Sequence, residues 1–217
     1  LDHDGSLKHR GHEWVSPKMS GDAAYKILFD FCDLARAAKL RVDNCCGLHV
    51  HFDASVLRWD SIARIALAWG HYQPAFEALV PQSRFQPNAE GKVFCGSMPR
   101  QRFEALKIFE GKEDLTTHLY GSADPRTNKQ RQKYQANTFA RYQAMNLYAW
   151  YFHGTLEFRL HQGSLNFEEI YNWISFLGLF MERATTLNNT VVRKLPYHGH
   201  VLEYAPETVA PIYRKLI

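Results

Sequence analysis

The chain has 217 residues, 46% of them hydrophobic and 22% charged, with a formal net charge of +4. That balance suits one ordinary domain over 1–217 with a single core, and it excludes a disordered chain. The only clustered basic residues are Arg126, Lys129, Arg131 and Lys133, so a small anionic ligand is expected rather than a nucleic acid, which would want a longer basic stripe.

In chain order, Gly11 to Val15 is a first strand candidate, carrying Glu13 and ending at Ser16-Pro17, where proline cannot donate to a ladder. From Asp22 to Lys39, the residues Ala24, Ile27, Leu28, Phe31, Leu34, Ala35 and Ala38 recur at three- and four-residue steps. This predicts an amphipathic helix, capped by Asp22. Leu48 to Asp53 alternates apolar with polar and predicts a half-buried strand. Helices are expected over Ser55–Trp69, His71–Leu79 and Pro99–Phe109, the last with proline at its start. Gly111 to Asn137 is polar and aperiodic, with turn material at Gly121 to Pro125, and reads as a long loop of a length that is usually functional or disordered. Tyr148, Trp150, Tyr151 and Phe152 read as helix packing. Thr155 to His161 is a second alternating strand, Phe167 to Ala184 a long helix, and Glu207 to Leu216 a last one broken by Pro211. The sum is an α+β domain on a mostly antiparallel sheet. Apolar runs stop short of the roughly 18 residues a membrane span needs. Nothing at the N-terminus reads as a signal peptide, so a cytoplasmic protein with no membrane partner is expected.

The two alternating strands share an unusual chemistry. One face carries Leu48, Val50 and Phe52, or Leu156, Phe158 and Leu160, for packing under helices. The other carries His49, His51 and Asp53, or Glu157, Arg159 and His161. Histidines at i and i+2 on a strand point the same way and can offer neutral imidazoles to a metal or a proton to an oxyanion. Taken alone, the pair is more often two satisfied surface histidines. A strand carrying Glu157 and Arg159 can equally be a charge-guarded edge. Together, however, carboxylate and imidazole suit a divalent cation, and a planar guanidinium forks onto phosphate oxygens. If both faces lie in one antiparallel sheet, they form a polar floor for phosphoryl chemistry bordering a solvent-filled cleft, with helices covering only the other side. Cys32, Cys45, Cys46 and Cys95 make no CxxC pair and read as reduced thiols. Arg84, with Asn88 and Cys95, can border a nucleotide, although a surface loop is the commoner case. The cluster from Arg126 to Lys133 reads as a lid over phosphates or a solvated loop.

Glu13 to Pro17 (EWVSP), Cys46 to Asp53 (CGLHVHFD), Arg141 to Leu147 (RYQAMNL) and His153 to Leu160 (HGTLEFRL) follow one another in an order and spacing that resembles the amidoligase family. That family is similar to glutamine synthetase and glutamate-cysteine ligase, and the resemblance runs from about Asp4 to Ala184. It implies a curved antiparallel sheet flanked by helices, as in the glutamine synthetase catalytic domain. By the same resemblance His49, Glu157 and Glu13 would be metal ligands, with His51 facing the ligand and Arg159 touching the transferred phosphate. Arg141 would contact phosphate or a substrate carboxylate, with Asn146 a helper near the site. Members usually open with a strand bearing an ExE pair of glutamates. Nothing before Asp4 supplies it, which leaves two readings open: a sequence trimmed of that first strand, or a protein that has lost this metal-ligand set.

The function expected is ATP-dependent ligation of a small-molecule or peptide carboxylate to an amine, with ATP and magnesium, or manganese, as cofactors. Catalysis would fall to Arg159, Arg141 and His51, and nucleotide binding to Arg141, Arg159, Asn146 and Arg84. Two other readings stand beside it. One is a metal-dependent hydrolase built on His49, His51 and Glu157, whose donors suit zinc. The other is a degenerate relative that binds a nucleotide or partner without turnover.

Overall fold

The computed structural model describes residues 2–3, 12–87, 91, 93, 95–114 and 142–199. In chain order these form β1 (Asp2–His3), β2 (His12–Glu13), α1 (Gly21–Ala37), β3 (Val50–Asp53), α2 (Trp59–Glu77), a 3-10 turn (Gln82–Arg84) and α3 (Arg100–Ile108). There follow β4 (Met145–Asn146), α4 (Tyr148–His153), β5 (Thr155–Phe158), α5 (Phe167–Thr185) and α6 (Asn189–Val192). The described residues are thus α+β, as expected. The loop over Gly111 to Asn137 from 115 onward, the basic cluster and the helix over Glu207 to Leu216 lie outside them. No helix among the described residues is long and apolar enough to cross a membrane.

The chain divides into two compact units, Leu1–Leu48 with Gln162–Leu177, and His49–His161 with Gly178–Ile217. In the first, β1 and β2 pair antiparallel with Asp2 opposite Glu13. The periodicity of α1 is realised in its packing: Leu28 and Cys32 are buried with Ile170, and Trp14, Phe31, Leu48, Phe167 and Ile174 close around them. Trp14 stacks on Phe31 at 3.7 Å. Ser20, not Asp22, holds the N-cap position of α1 in extended conformation, and Asp22 sits in the first turn, where its charge favours the helix dipole. The start of α5 is set by Asn166, whose Oδ1 accepts the Glu168 N–H at 2.9 Å.

In the second unit, β3, β5 and β4 form a three-stranded antiparallel sheet in that order, with β5 central. Val50 pairs with Phe158, His51 with Glu157, Phe52 with Leu156 and Asp53 with Thr155. On the other edge, Met145 pairs with Phe158 and Asn146 with Glu157. The apolar face behaves as the alternation predicts, with Leu156, Phe158 and Leu160 fully buried. Trp69 joins this face to the helices: its ring lies 4.2 Å from Phe76, 5.1 Å from Phe158 and 6.0 Å from Phe180.

One continuous helix, α2, replaces the two expected over Ser55–Trp69 and His71–Leu79. It starts late because Asp53 Oδ1 accepts the N–H and Oγ–H of Ser55, at 2.9 and 2.6 Å, which turns the chain out of β3. It then runs through Gly70, which separates the two expected helices, and through Pro74. Its C-terminal half is buried apart from the half-buried Tyr72, and tertiary packing overrides the local cost of Gly70 and Pro74. Gly70 is there for space: a Cβ would come within 2.5 Å of Phe103 Cδ2 and 3.0 Å of Met98 Sδ, both in the core. Gly70→Ala should therefore destabilise the protein by about 1–3 kcal/mol, despite alanine's better helix propensity. Urea unfolding checks this, and a gain in stability would remove the close-packing account of that glycine.

Candidate functional site

The second unit builds its polar face from two local devices. Gly154 ends α4 in the left-handed conformation, φ 67°, which a side chain rarely adopts, and its carbonyl accepts the Ala54 N–H at 2.8 Å. That turn delivers Thr155 to Phe158 directly into register beside β3. On β4, the Asn146 Oδ1 accepts the N–H of Tyr148 at 2.9 Å, which fixes the orientation of its amide.

The register then places His51, Glu157 and Asn146 in one row across the three strands. Asn146 Nδ2 donates to Glu157 Oε2 at 2.6 Å, and Arg159 Nη1 donates to Glu157 Oε1 at 2.8 Å. His49 Nδ1 and His51 Nε2 lie 3.4 and 3.6 Å from that same Oε1. Behind His51, its Nδ1 is 3.0 Å from Thr155 Oγ1. The Arg159 guanidinium lies over the Tyr142 ring, 5.6 Å from its centroid, and Arg159 Nε is buried with no hydrogen-bond partner among the described residues.

One expectation is corrected here. The polar face is not a solvent-lined floor at its centre, because Glu157 is only 5% exposed, enclosed by the groups that bind it. The histidines form the open side, with the side chain of His51 42% exposed. A buried anion needs paired donors, and Asn146 and Arg159 supply them.

Burial alone would raise the Glu157 pKa, but the His51 contact, the Arg159 charge and the Asn146 hydrogen bond outweigh it and bring it down to about 2. Burial, then the positive charge of Arg159, pushes His49 down to about 4, against an opposing pull from Glu157. At neutral pH the site thus holds a carboxylate beside a neutral His49 imidazole, the forms that bind a divalent ion. Nitrogen-to-oxygen separations of 3.4 and 3.6 Å are close to the spacing of two ligands on one ion, about 3.0–3.4 Å for bonds of about 2.1 Å. The donor types fit such an ion. Even so, among the described residues no group of three or more His, Cys, Asp or Glu is arranged to hold one by itself.

Glu13 is exposed on β2, in the first unit. Arg141 lies outside the described residues. Arg84 is not on a surface loop: it ends the 3-10 turn, is 4% exposed, and donates through Nε to the Leu160 carbonyl (3.3 Å) and through Nη2 to the Arg159 carbonyl (3.1 Å). Tyr142 and Thr155, which touch Arg159 and His51, are not singled out by the sequence. Thr155 could have been, since it starts the strand opposite Asp53. None of the four cysteines forms a disulfide, and burial pushes the Cys32, Cys46 and Cys95 thiols up, away from the nucleophilic form.

Both shifted groups bind a proton more weakly folded than unfolded, so acid favours unfolding. His49 contributes stability that is complete above its ordinary value of 6.5 and is lost as pH falls towards about 4. Glu157 contributes stability that is complete above 4.5 and is lost as pH falls towards about 2. In the metal-free protein, His49→Gln should flatten the loss of stability between pH 6.5 and 4 while keeping the loss at lower pH. Denaturant midpoints measured across that range check this, and an unchanged profile would contradict the assigned state of His49.

The family model described as "Putative amidoligase enzyme" matches residues 2–181. No curated protein and no solved structure matches the chain. The matched span takes in β2, His49 with β3, Asn146, and β5 with Arg159 just beyond it, so the chain belongs to the amidoligase family of ligase-type enzymes.

Proposed function

We propose that the protein is an ATP-dependent carboxylate-amine ligase that works through an acyl phosphate. A free carboxylate is a poor electrophile because oxide is a poor leaving group. Transfer of the γ-phosphoryl group of ATP to the carboxylate oxygen gives a mixed anhydride and ADP. An amine then forms the C–N bond as the C–O bond to phosphate breaks. The observation that carries this reading is the convergence of His49, His51 and Arg159 on one oxygen of Glu157, in a chain of amidoligase type.

A divalent ion, magnesium or manganese, would neutralise phosphate charge, with Glu157 and His49 as its protein ligands. Arg159, fixed on Glu157, provides a guanidinium for the phosphoryl group in transfer, and Arg141 provides a second for phosphate or substrate carboxylate. His51 faces the ligand, and Thr155 at its Nδ1 leaves Nε2 as the working atom. Asn146 holds the Glu157 carboxylate, and Arg84 borders the nucleotide through the strand end it grips. The three-stranded sheet is, on this reading, part of a curved sheet of glutamine synthetase type, and the substrates are small-molecule or peptide carboxylates with an amine, in the cytoplasm.

A second reading keeps one specific support: two imidazoles and one carboxylate are the donor set of many catalytic zinc sites. The two separate on ligand response. A ligand that binds only the folded state raises the melting temperature by mass action. The ligase should respond to ATP with magnesium, and the hydrolase to zinc without nucleotide. ADP release should then be scored across a panel of carboxylates with ammonia and amines. Glu157→Gln and Arg159→Ala should each lower it by about a hundredfold or more. Because the pair is buried, each variant should also lose on the order of 1–3 kcal/mol of stability, so circular dichroism must accompany the assay. Undiminished turnover in both folded variants would remove Glu157 and Arg159 from the mechanism. No turnover in the parent with any mixture would leave a binding protein.

A further inference from the structure

Beyond Phe158, β5 leaves its ladder at the point where Arg159 must be held. Arg159 N–H still donates to the Ala144 carbonyl at 2.8 Å. The return bond of a regular antiparallel pair would run from the Ala144 N–H to the Arg159 carbonyl. Here the Ala144 N–H is instead given to the Gly96 carbonyl, at 2.9 Å. The Arg159 carbonyl is thus deprived of its ladder donor in a buried stretch, where a lost partner is costly.

Arg84 takes that place. Its Nη2 donates to the Arg159 carbonyl at 3.1 Å and its Nε to the Leu160 carbonyl at 3.3 Å, so one rigid guanidinium spans two successive peptide groups. The backbone of Arg84 is held in turn: the Cys95 thiol donates to its carbonyl, and the Arg84 N–H donates to the Pro81 carbonyl at 3.0 Å. Arg84 is itself 4% exposed, so its fork is held by packing as well as by these bonds. On the far side of the same peptide, the Arg159 side chain is set on Glu157 at 2.8 Å with its Nε enclosed.

The geometry points to Arg84 as a positioning residue that acts through the backbone of Arg159 and Leu160, substituting for a missing ladder donor so that the Arg159 guanidinium is fixed before substrate arrives. A planar, permanently charged fork is the side chain that can bind two carbonyls at once, and a lysine cannot reproduce that span. The catalytic consequence rests on the ligase reading, but the positioning itself does not.

The test uses the full chain without ligand. In the parent, the Arg159 Nε–H, assigned by its loss in Arg159→Lys, should give a ¹H–¹⁵N signal protected from exchange by about tenfold or more over exposed arginines. In Arg84→Met that protection should be lost while backbone amides of α2 and α3 keep theirs, and Arg84→Lys should recover only part of it. Where the parent releases ADP, both variants should act on kcat more than on KM for ATP. An unchanged Arg159 signal in either folded variant would overturn the proposal. So would failure of both variants to fold, which would make Arg84 a stability residue alone. If the signal responds as expected but the parent shows no ADP release, the ligase reading fails and the positioning role stands.

Discussion

Everything at this site depends on keeping one carboxylate ionised in a place where water barely reaches it. Glu157 is on the central strand, covered by apolar packing below and by its own partners above. Left alone there, it would take up a proton or pull water in. Asn146 and Arg159 prevent this with short hydrogen bonds to its two oxygens. Each is in turn held from behind, Asn146 by the Tyr148 N–H and the Arg159 peptide by Arg84. The result is an anion whose position is set by two layers of hydrogen bonds, with two histidines as its open edge. Preorganisation of that kind costs stability elsewhere and is what a phosphoryl-transfer site needs, since its catalysis is mostly placement of charge.

The histidines have a different physical role from the arginine. His49 stays neutral at physiological pH because burial and Arg159 both oppose a second positive charge. A neutral imidazole beside an ionised carboxylate is ready for a cation, while Arg159 is ready for an anion. On the proposed reading, the same strand pair serves both halves of a metal–phosphate complex. The Cys95 thiol, buried against the Arg84 carbonyl, belongs to the scaffold and not to this chemistry.

Much of this was legible in residue order, and the limits are physical. Alternation at Leu48–Asp53 and Thr155–His161 gives two strands and the face shared by His49, His51, Glu157 and Arg159, because strand period depends only on local geometry. It says which face a side chain takes, but not what covers that face, so the burial of Glu157 was missed. β4 has two residues, too few to show any period, which is why Asn146 came from family resemblance. Gly70 reads as a break because its local cost is visible while the packing of Phe103 and Met98 around it is not. Arg84 read as loop because a single 3-10 turn has no pattern, and its partners are some 75 residues away in the chain.

The central claim is that this site activates a carboxylate by phosphorylation, and oxygen transfer tests it most directly. The carboxylate that best supports ADP release, labelled with ¹⁸O in both oxygens, is turned over with ATP, magnesium and its amine, and the inorganic phosphate is analysed by ³¹P NMR. An acyl phosphate requires one labelled oxygen to pass from each carboxylate to each phosphate released. Phosphate carrying that label in step with amide formation is the predicted result; amide formed with unlabelled phosphate would contradict the account.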